Sequence, residues 1–312
     1  MELPVETCDN GGLRIAFDCF DTANFITVYG HNASEELLHE AKDLCLTLHE
    51  LLNFTDPASD IAKINAAGCE RVDVNKHTSS LLAAAKHVSS AEAQFDITIG
   101  PVTRLWKHTH TLPSEHAVQE ALKHIGIDKL EIGEGWVKKD DAALRVDVGG
   151  IAKGYAADLL AQMMRNVCVE SADVDLGGNL YLLGEHPEGR AWRIESDLPE
   201  GFACRSPRFL VADASVSTSS NFLRAEVIEG REYGHIIDVT CGYPVQTDIA
   251  MASVISTSSL KADALSTVLL SGGSDGFEHL AARHVDCCFV AVTKQGECLS
   301  ANFPNEHAYL VR

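Results

Sequence analysis

Asp263 and Thr267 stand four residues apart in the run Leu260-Lys261-Ala262-Asp263-Ala264-Leu265-Ser266-Thr267-Val268-Leu269-Leu270, whose composition is that of a largely buried helix. At this spacing a carboxylate and a hydroxyl sit one above the other on a single helix face. Oxygens buried on an apolar face need partners. Two readings are open: the pair hydrogen-bonds internally and to the carbonyl four residues back, or it presents two oxygens to a hard cation. A second group, Asp147-Val148-Gly149-Gly150-Ile151-Ala152-Lys153-Gly154-Tyr155, combines a carboxylate, a glycine pair and a lysine. Glycines at a strand-to-helix turn admit close approach, and the first N–H groups of a helix favour an anion. The alternative is a β–α junction whose glycines serve packing alone. Asp96 and Thr98 lie beside Gly100-Pro101, where Asp96 can also be read as a helix cap. His235 and Asp238 are three apart along an expected strand, so a joint role requires a bend or bulge at Asp238. The hydroxyl cluster Ser217-Thr218-Ser219-Ser220 reads as a solvated loop.

The elements that must position these groups follow from periodicity. Leu13 to Phe20 and Phe25 to Tyr29 read as a hairpin joined by Asp21-Thr22-Ala23-Asn24. Helical spacing runs from Ser34 to about Leu52, from Ser59 to Asn65, from Thr78 to Ala93 and from Ser114 to Lys123. Short strands are expected at Lys129 to Ile132, Gly135 to Lys138 and Ala143 to Val148, and then a helix from Ile151 to Asn166. The chain then turns β-rich, at Ala172 to Leu176, Asn179 to Leu183, Ala191 to Glu195, Arg208 to Ala212, Phe222 to Ile228 and Ala250 to Ser256. Helices at Leu260 to Leu270 and Asp275 to Arg283 precede a hairpin, Cys287 to Thr293 with Glu297 to Ser300.

Composition limits the partners. The chain has 312 residues, 46% hydrophobic and 22% charged, as in an ordinary globular protein. It is long enough for one large domain or two interwoven subdomains. With 45 acidic against 25 basic residues the net charge is −20, which repels a phosphate backbone and argues against nucleic acid. A phosphate-bearing ligand needs local N–H groups, a lysine or a cation. Ten cysteines without a C-x-x-C pair suggest reduced thiols rather than a disulfide or zinc scaffold. No apolar stretch approaches the ~20 residues of a transmembrane span, and no leader is visible at the N-terminus, so a cytoplasmic protein is expected.

Taken together, Phe95-Asp96-Ile97-Thr98-Ile99-Gly100-Pro101, Asp147 to Tyr155, Asp175-Leu176-Gly177-Gly178, Thr218-Ser219, His235-Ile236-Ile237-Asp238 and Ala262 to Thr267 resemble, in order and spacing, the FAD:protein FMN transferase (ApbE) family. The resemblance covers nearly the whole chain. It implies an α+β fold with mixed, largely antiparallel sheets and flanking helices, T-fold-like. It also implies a Mg²⁺-dependent enzyme that splits the pyrophosphate of FAD, transfers FMN to a threonine or serine of an acceptor flavoprotein and releases AMP.

By motif match, the metal ligands are Asp263, Thr267 and the backbone carbonyl of Gly150. Lys153 pairs with a phosphate and Asp147 accepts from the adenosine part, while Gln94, Phe95 and Asp96 match a nucleotide-contacting segment and Thr218 a further cofactor contact. His235 matches the general base and also faces the cofactor, with Asp238 orienting it or touching the flavin. The chain departs from the family pattern at Phe20-Asp21-Thr22 (Met-Gly-Thr), at Asn53 and Thr55, at Lys107-His108-Thr109 (Gly-Phe-Gly), at Thr218-Ser219-Ser220-Asn221-Phe222 (Thr-Ser-Gly-x-Tyr) and at Val239 (proline). Two other functions share these residues: a Mg²⁺-dependent FAD pyrophosphatase, and a flavin- or nucleotide-binding protein without catalysis.

Overall fold

Alternating apolar residues along Leu13–Cys19 and Thr22–Tyr29 build two paired strands whose inward side chains, Ile15, Phe17, Ile26 and Val28, are buried. They belong to a nine-stranded sheet in which the strands lie side by side in the order in which they occur along the chain. After Glu6–Thr7 and this hairpin come Ser171–Leu176, Asn179–Leu183, Ala214–Ser220, Ile249–Ser256, Cys288–Thr293 and Cys298–Ala301. Pairing is antiparallel from the first strand through Ala214–Ser220, and again from Ile249–Ser256 to the last. Ile249–Ser256 is buried at every position, as befits an apolar strand with neighbours on both sides. The structure is a computed structural model that describes residues 4–107, 111–196, 198, 202, 204–221, 226–304 and 307–311. Among them, no helix is long and apolar enough to cross a membrane.

The chain divides into two compact units. The first comprises Met1–His49, Lys153–Ser219 and Asp248–Arg312, and contains the large sheet. The helix Ser259–Arg283 packs along Ile249–Ser256, and a core of Leu182, Phe209, Val211, Val216 and Val290 lies beneath a three-stranded sheet of Trp192–Glu195, Arg208–Val211 and Ala308–Val311. That helix is kinked at Gly273, whose φ of 67° and ψ of −178° interrupt it. Asp248 accepts from the Ser274 backbone N–H at 3.0 Å and starts the second segment.

The second unit comprises Glu50–Ala152 and Ser220–Thr247. Its anchor is Trp106, the last residue of the helix Gly100–Trp106, packed against Val102, Ile228 and Ile237. The indole lies 5.6 Å from both Tyr233 and Tyr243, and its Nε1 donates to the Gly242 carbonyl at 2.9 Å. A three-stranded sheet of Val72–Asp73, Trp136–Lys139 and Leu130–Gly133, together with the helix Lys76–Ala91, completes this unit.

Three local expectations are corrected. The first hairpin turns on two residues, Phe20 and Asp21, both at positive φ (52° and 58°), so the second strand begins at Thr22 rather than Phe25. Asn24, a turn former by type, is instead buried in that strand and donates to the Cys19 carbonyl at 2.9 Å. Ala143 to Val148 forms no strand beyond one bridge, Ile99 with Arg145. Side chains take the place of a ladder: Asn65 clamps Val146 through N–H···Oδ1 at 2.6 Å and Nδ2–H···O at 2.9 Å, and buried Lys139 donates to the Leu144 carbonyl at 3.0 Å. Gly234 to Asp238 is likewise not a strand; Arg231–Tyr233 ends before it, and His235 lies in a bend. The expected strand Phe222 to Ile228 is present at Glu226–Ile228, residues 222–225 lying outside the described residues, as do His108 and Thr109.

Candidate active site

In the first unit, Asp263 sits in the first turns of Ser259–Arg283, a helix capped by the Ser258 hydroxyl on the Lys261 N–H. Its side chain is buried. Oδ2 accepts from the Gly154 backbone N–H at 2.9 Å and Oδ1 from the Ser217 hydroxyl at 3.3 Å. Burial pushes its carboxyl pKa up, against the charge of Lys153 and the hydrogen bonds from Gly154, Ser217 and Asn179. Thr267, one turn on, has its hydroxyl 3.5 Å from that of Ser219, which lies 2.8 Å from Ser266 Oγ.

Gly154 must be glycine here. A Cβ would lie 2.5 Å from the Ser259 carbonyl, 2.7 Å from Leu260 Cα and 2.8 Å from Asp263 Cβ. The helix Ala152–Asn166 therefore meets the start of Ser259–Arg283 backbone to backbone, and the two helix starts cap each other. Asp263 takes the Gly154 N–H of one; Asp158 takes the Ser259 and Leu260 N–H groups of the other at 2.6 and 3.1 Å, and the Ser258 hydroxyl at 2.9 Å. Each carboxylate satisfies N–H groups that the opposite helix cannot pair internally, and favours the positive end of its dipole.

Alternation along Ala214–Ser220 sorts the hydroxyl cluster. Ser217 and Ser219 face Asp263, Ser266 and Thr267, whereas Thr218 faces the other way, 2.8 Å from Ser253 and 3.5 Å from Ser196. The cluster is strand, not loop. The sequence places Ser217, Ser219 and Gly154 within its motifs without assigning any of them a role; for Gly154 the signal is a glycine within a helical pattern.

In the second unit, Asp147 and the Phe95-to-Pro101 segment are neighbours, the Asp147 N–H donating to the Ile97 carbonyl at 2.7 Å. Asp147 Oδ1 accepts from the Gly149 N–H at 3.0 Å, so the carboxylate folds onto its own turn. Lys107 Nζ stands 3.4 Å from Oδ2. Asp96 Oδ1 accepts from both the Thr98 N–H and hydroxyl at 2.7 Å. Gln94 is exposed and Phe95 is in the core. Asp238 Oδ1 accepts from the Thr240 N–H and hydroxyl at 2.7 and 2.6 Å, and His235 is exposed. Gly150 also belongs to this unit.

Among the described residues, no group of three or more His, Cys, Asp or Glu side chains is placed to hold a metal. The chemistry on offer is the oxygen pair Asp263 and Thr267, donors that suit a hard divalent cation completing its shell with water and phosphate oxygens.

Comparison with known proteins bears on the family and the fold. The model of the ApbE family matches residues 20–289. An FAD:protein FMN transferase of Klebsiella pneumoniae is 30% identical over 275 residues, covering 85% of this chain and 84% of the relative. The crystal structure of Pseudomonas stutzeri flavinyl transferase ApbE in its apo form superposes with a TM-score of 0.81 at 26% identity, covering 96% of this chain and 95% of that one. The ApbE protein of Thermotoga maritima does so with a TM-score of 0.84 at 26% identity, over 93% and 97%. The mixed helices and antiparallel sheets expected from the sequence are thus shared with solved members, and this chain belongs to the ApbE family.

Proposed function

We propose that this chain transfers FMN from FAD to the hydroxyl of a threonine or serine on an acceptor protein, in a Mg²⁺-dependent reaction that releases AMP. The observation that carries the reading is Asp263: a buried carboxylate, one turn from Thr267, whose hydrogen bonds come from a backbone N–H and neutral side chains and whose carboxyl is pushed up by burial. A bound cation would remove that electrostatic cost. Asp263 and Thr267 would hold it, and when bound it supplies neutralisation of the charge that builds on the departing phosphate. The third ligand, the Gly150 carbonyl, rests on the motif match alone. The relatives' name supplies the donor and the acceptor class.

The chain's own residues then have separate tasks. Lys153, whose charge already acts on Asp263, offers a point charge to a phosphate oxygen. Asp147 accepts from the adenosine part, with Gln94, Asp96 and Thr218 as further contacts. His235 takes the proton from the acceptor hydroxyl as its oxygen bonds to the FMN phosphorus; the bond from that phosphorus to the bridging oxygen breaks, and its electron pair leaves with AMP. An exposed histidine suits a hydroxyl that arrives on another protein.

The test is incubation with FAD and Mg²⁺, with and without an acceptor protein, following AMP release and acceptor mass. The expected result is an FMN-sized gain on a threonine or serine. AMP and free FMN without an adduct would convert the assignment to a pyrophosphatase, and FAD recovered intact would leave a flavin-binding protein.

A further inference from the structure

Lys107 closes the helix Gly100–Trp106, its backbone N–H bonding to Thr103, and with φ −71° and ψ 128° the chain leaves the helix there. Its side chain is held from two directions. Nζ lies 3.4 Å from Asp147 Oδ2 and 4.6 Å from the centre of the Phe54 ring. The lysine side chain is 42% exposed, and that of Asp147 13%. A half-exposed ion pair of this kind contributes little to folding. An ammonium has three N–H donors; the carboxylate takes one, the ring face attracts another, and a third remains for a ligand.

The charge balance limits what that ligand can be. On a chain of net charge −20, Asp147 alone would repel a phosphate, although it is anchored to the glycine turn through the Gly149 N–H. Lys107 neutralises it and adds a donor, and Phe54 and Asp147 together restrict a side chain that would otherwise lose much rotamer freedom on binding. We propose that Lys107 is a phosphate-binding residue for the adenylate part of the dinucleotide, pre-positioned by Phe54 and Asp147. The identity of the ligand rests on the function proposed above; the contact itself does not need the metal or the acceptor.

The experiment is calorimetric titration of the metal-free protein with AMP and with adenosine. Lys107→Ala should weaken AMP binding by about tenfold and leave adenosine unchanged, Lys107→Arg should stay within about threefold of the parent, and Phe54→Leu should weaken AMP by about threefold. The double variant Lys107→Ala with Asp147→Asn should recover part of the loss, because the repelling carboxylate has gone. Unchanged AMP affinity in Lys107→Ala, or a parallel loss of AMP and adenosine, would overturn the proposal while leaving flavin transfer standing. A parent protein that binds neither AMP nor adenosine would overturn the proposal, and failure of acceptor flavinylation as well would overturn the function.

Discussion

The candidate-site carboxylates of the two units are satisfied in opposite ways. In the second unit, Asp96, Asp147 and Asp238 each accept from the backbone N–H two residues further on, at Thr98, Gly149 and Thr240. In the first, Asp263 draws its partners from Gly154 and Ser217, 109 and 46 residues away, and is buried where theirs are at least partly exposed. A local Asx turn forms wherever the sequence places it and leaves the second oxygen accessible, which suits contacts to a ligand that comes and goes. A buried carboxylate assembled from distant segments exists only in the folded chain and carries an electrostatic cost, which suits a permanent site for a cation.

The sharpest way to break this contrast is Asp263→Asn. Because burial raises the folded pKa of Asp263, the stability it contributes is fully present below the unfolded value of 3.8 and is lost as pH rises through the folded one. At neutral pH the metal-free parent bears that cost, so Asp263→Asn should abolish Mg²⁺-dependent AMP release while stabilising the metal-free protein by about 1 kcal/mol in urea unfolding. A destabilised variant with retained turnover would remove the contrast.

Gly154→Ala comes next. The added methyl would push the two helix starts apart, costing about 1–3 kcal/mol and lowering the thermal shift produced by Mg²⁺. The equivalent buried charge in the second unit is Lys139, 1% exposed and bonded to backbone carbonyls, its pKa pushed down from 10.5 to about 8 by burial and by Arg145. Between these values the unfolded chain binds more protons, so stability should rise with pH across that window, by up to about 3 kcal/mol. Lys139→Met should flatten the rise without altering Mg²⁺ affinity. The smallest effects concern the hydroxyls: Ser219→Ala should weaken Mg²⁺ binding by roughly tenfold, whereas Thr218→Val should leave it unchanged and cost about 1 kcal/mol of stability.

What was legible in the sequence was local or periodic. The helix after the glycine pair runs Ala152–Asn166 against an expected Ile151 to Asn166, and the separate helical runs expected on either side of residues 271–274 correspond to the kink at Gly273. The facing of Asp263 and Thr267 follows from helical pitch. What escaped depended on contacts remote in the chain. Ala143 to Val148 has strand composition, yet Asn65 and Lys139 occupy the groups that a neighbouring strand would use. Ser217 and Ser219 look like loop residues until the neighbouring strands fix which side each faces. His235 reads as a strand residue because the two isoleucines that follow it are β-formers, but the turn at Asp238 to Tyr243 takes over the backbone there.

The mutual capping of the two helix starts has a consequence for the order of events during synthesis. Asp158 must wait for Ser258, Ser259 and Leu260, and Gly154 for Asp263, so neither helix start acquires its cap until roughly five-sixths of the chain has been made. Lys153 and Gly154 emerge from the ribosome long before the carboxylate that acts on both of them. In a nascent chain, Gly154 and Asp158 therefore stay without these partners until the start of Ser259–Arg283 has been made.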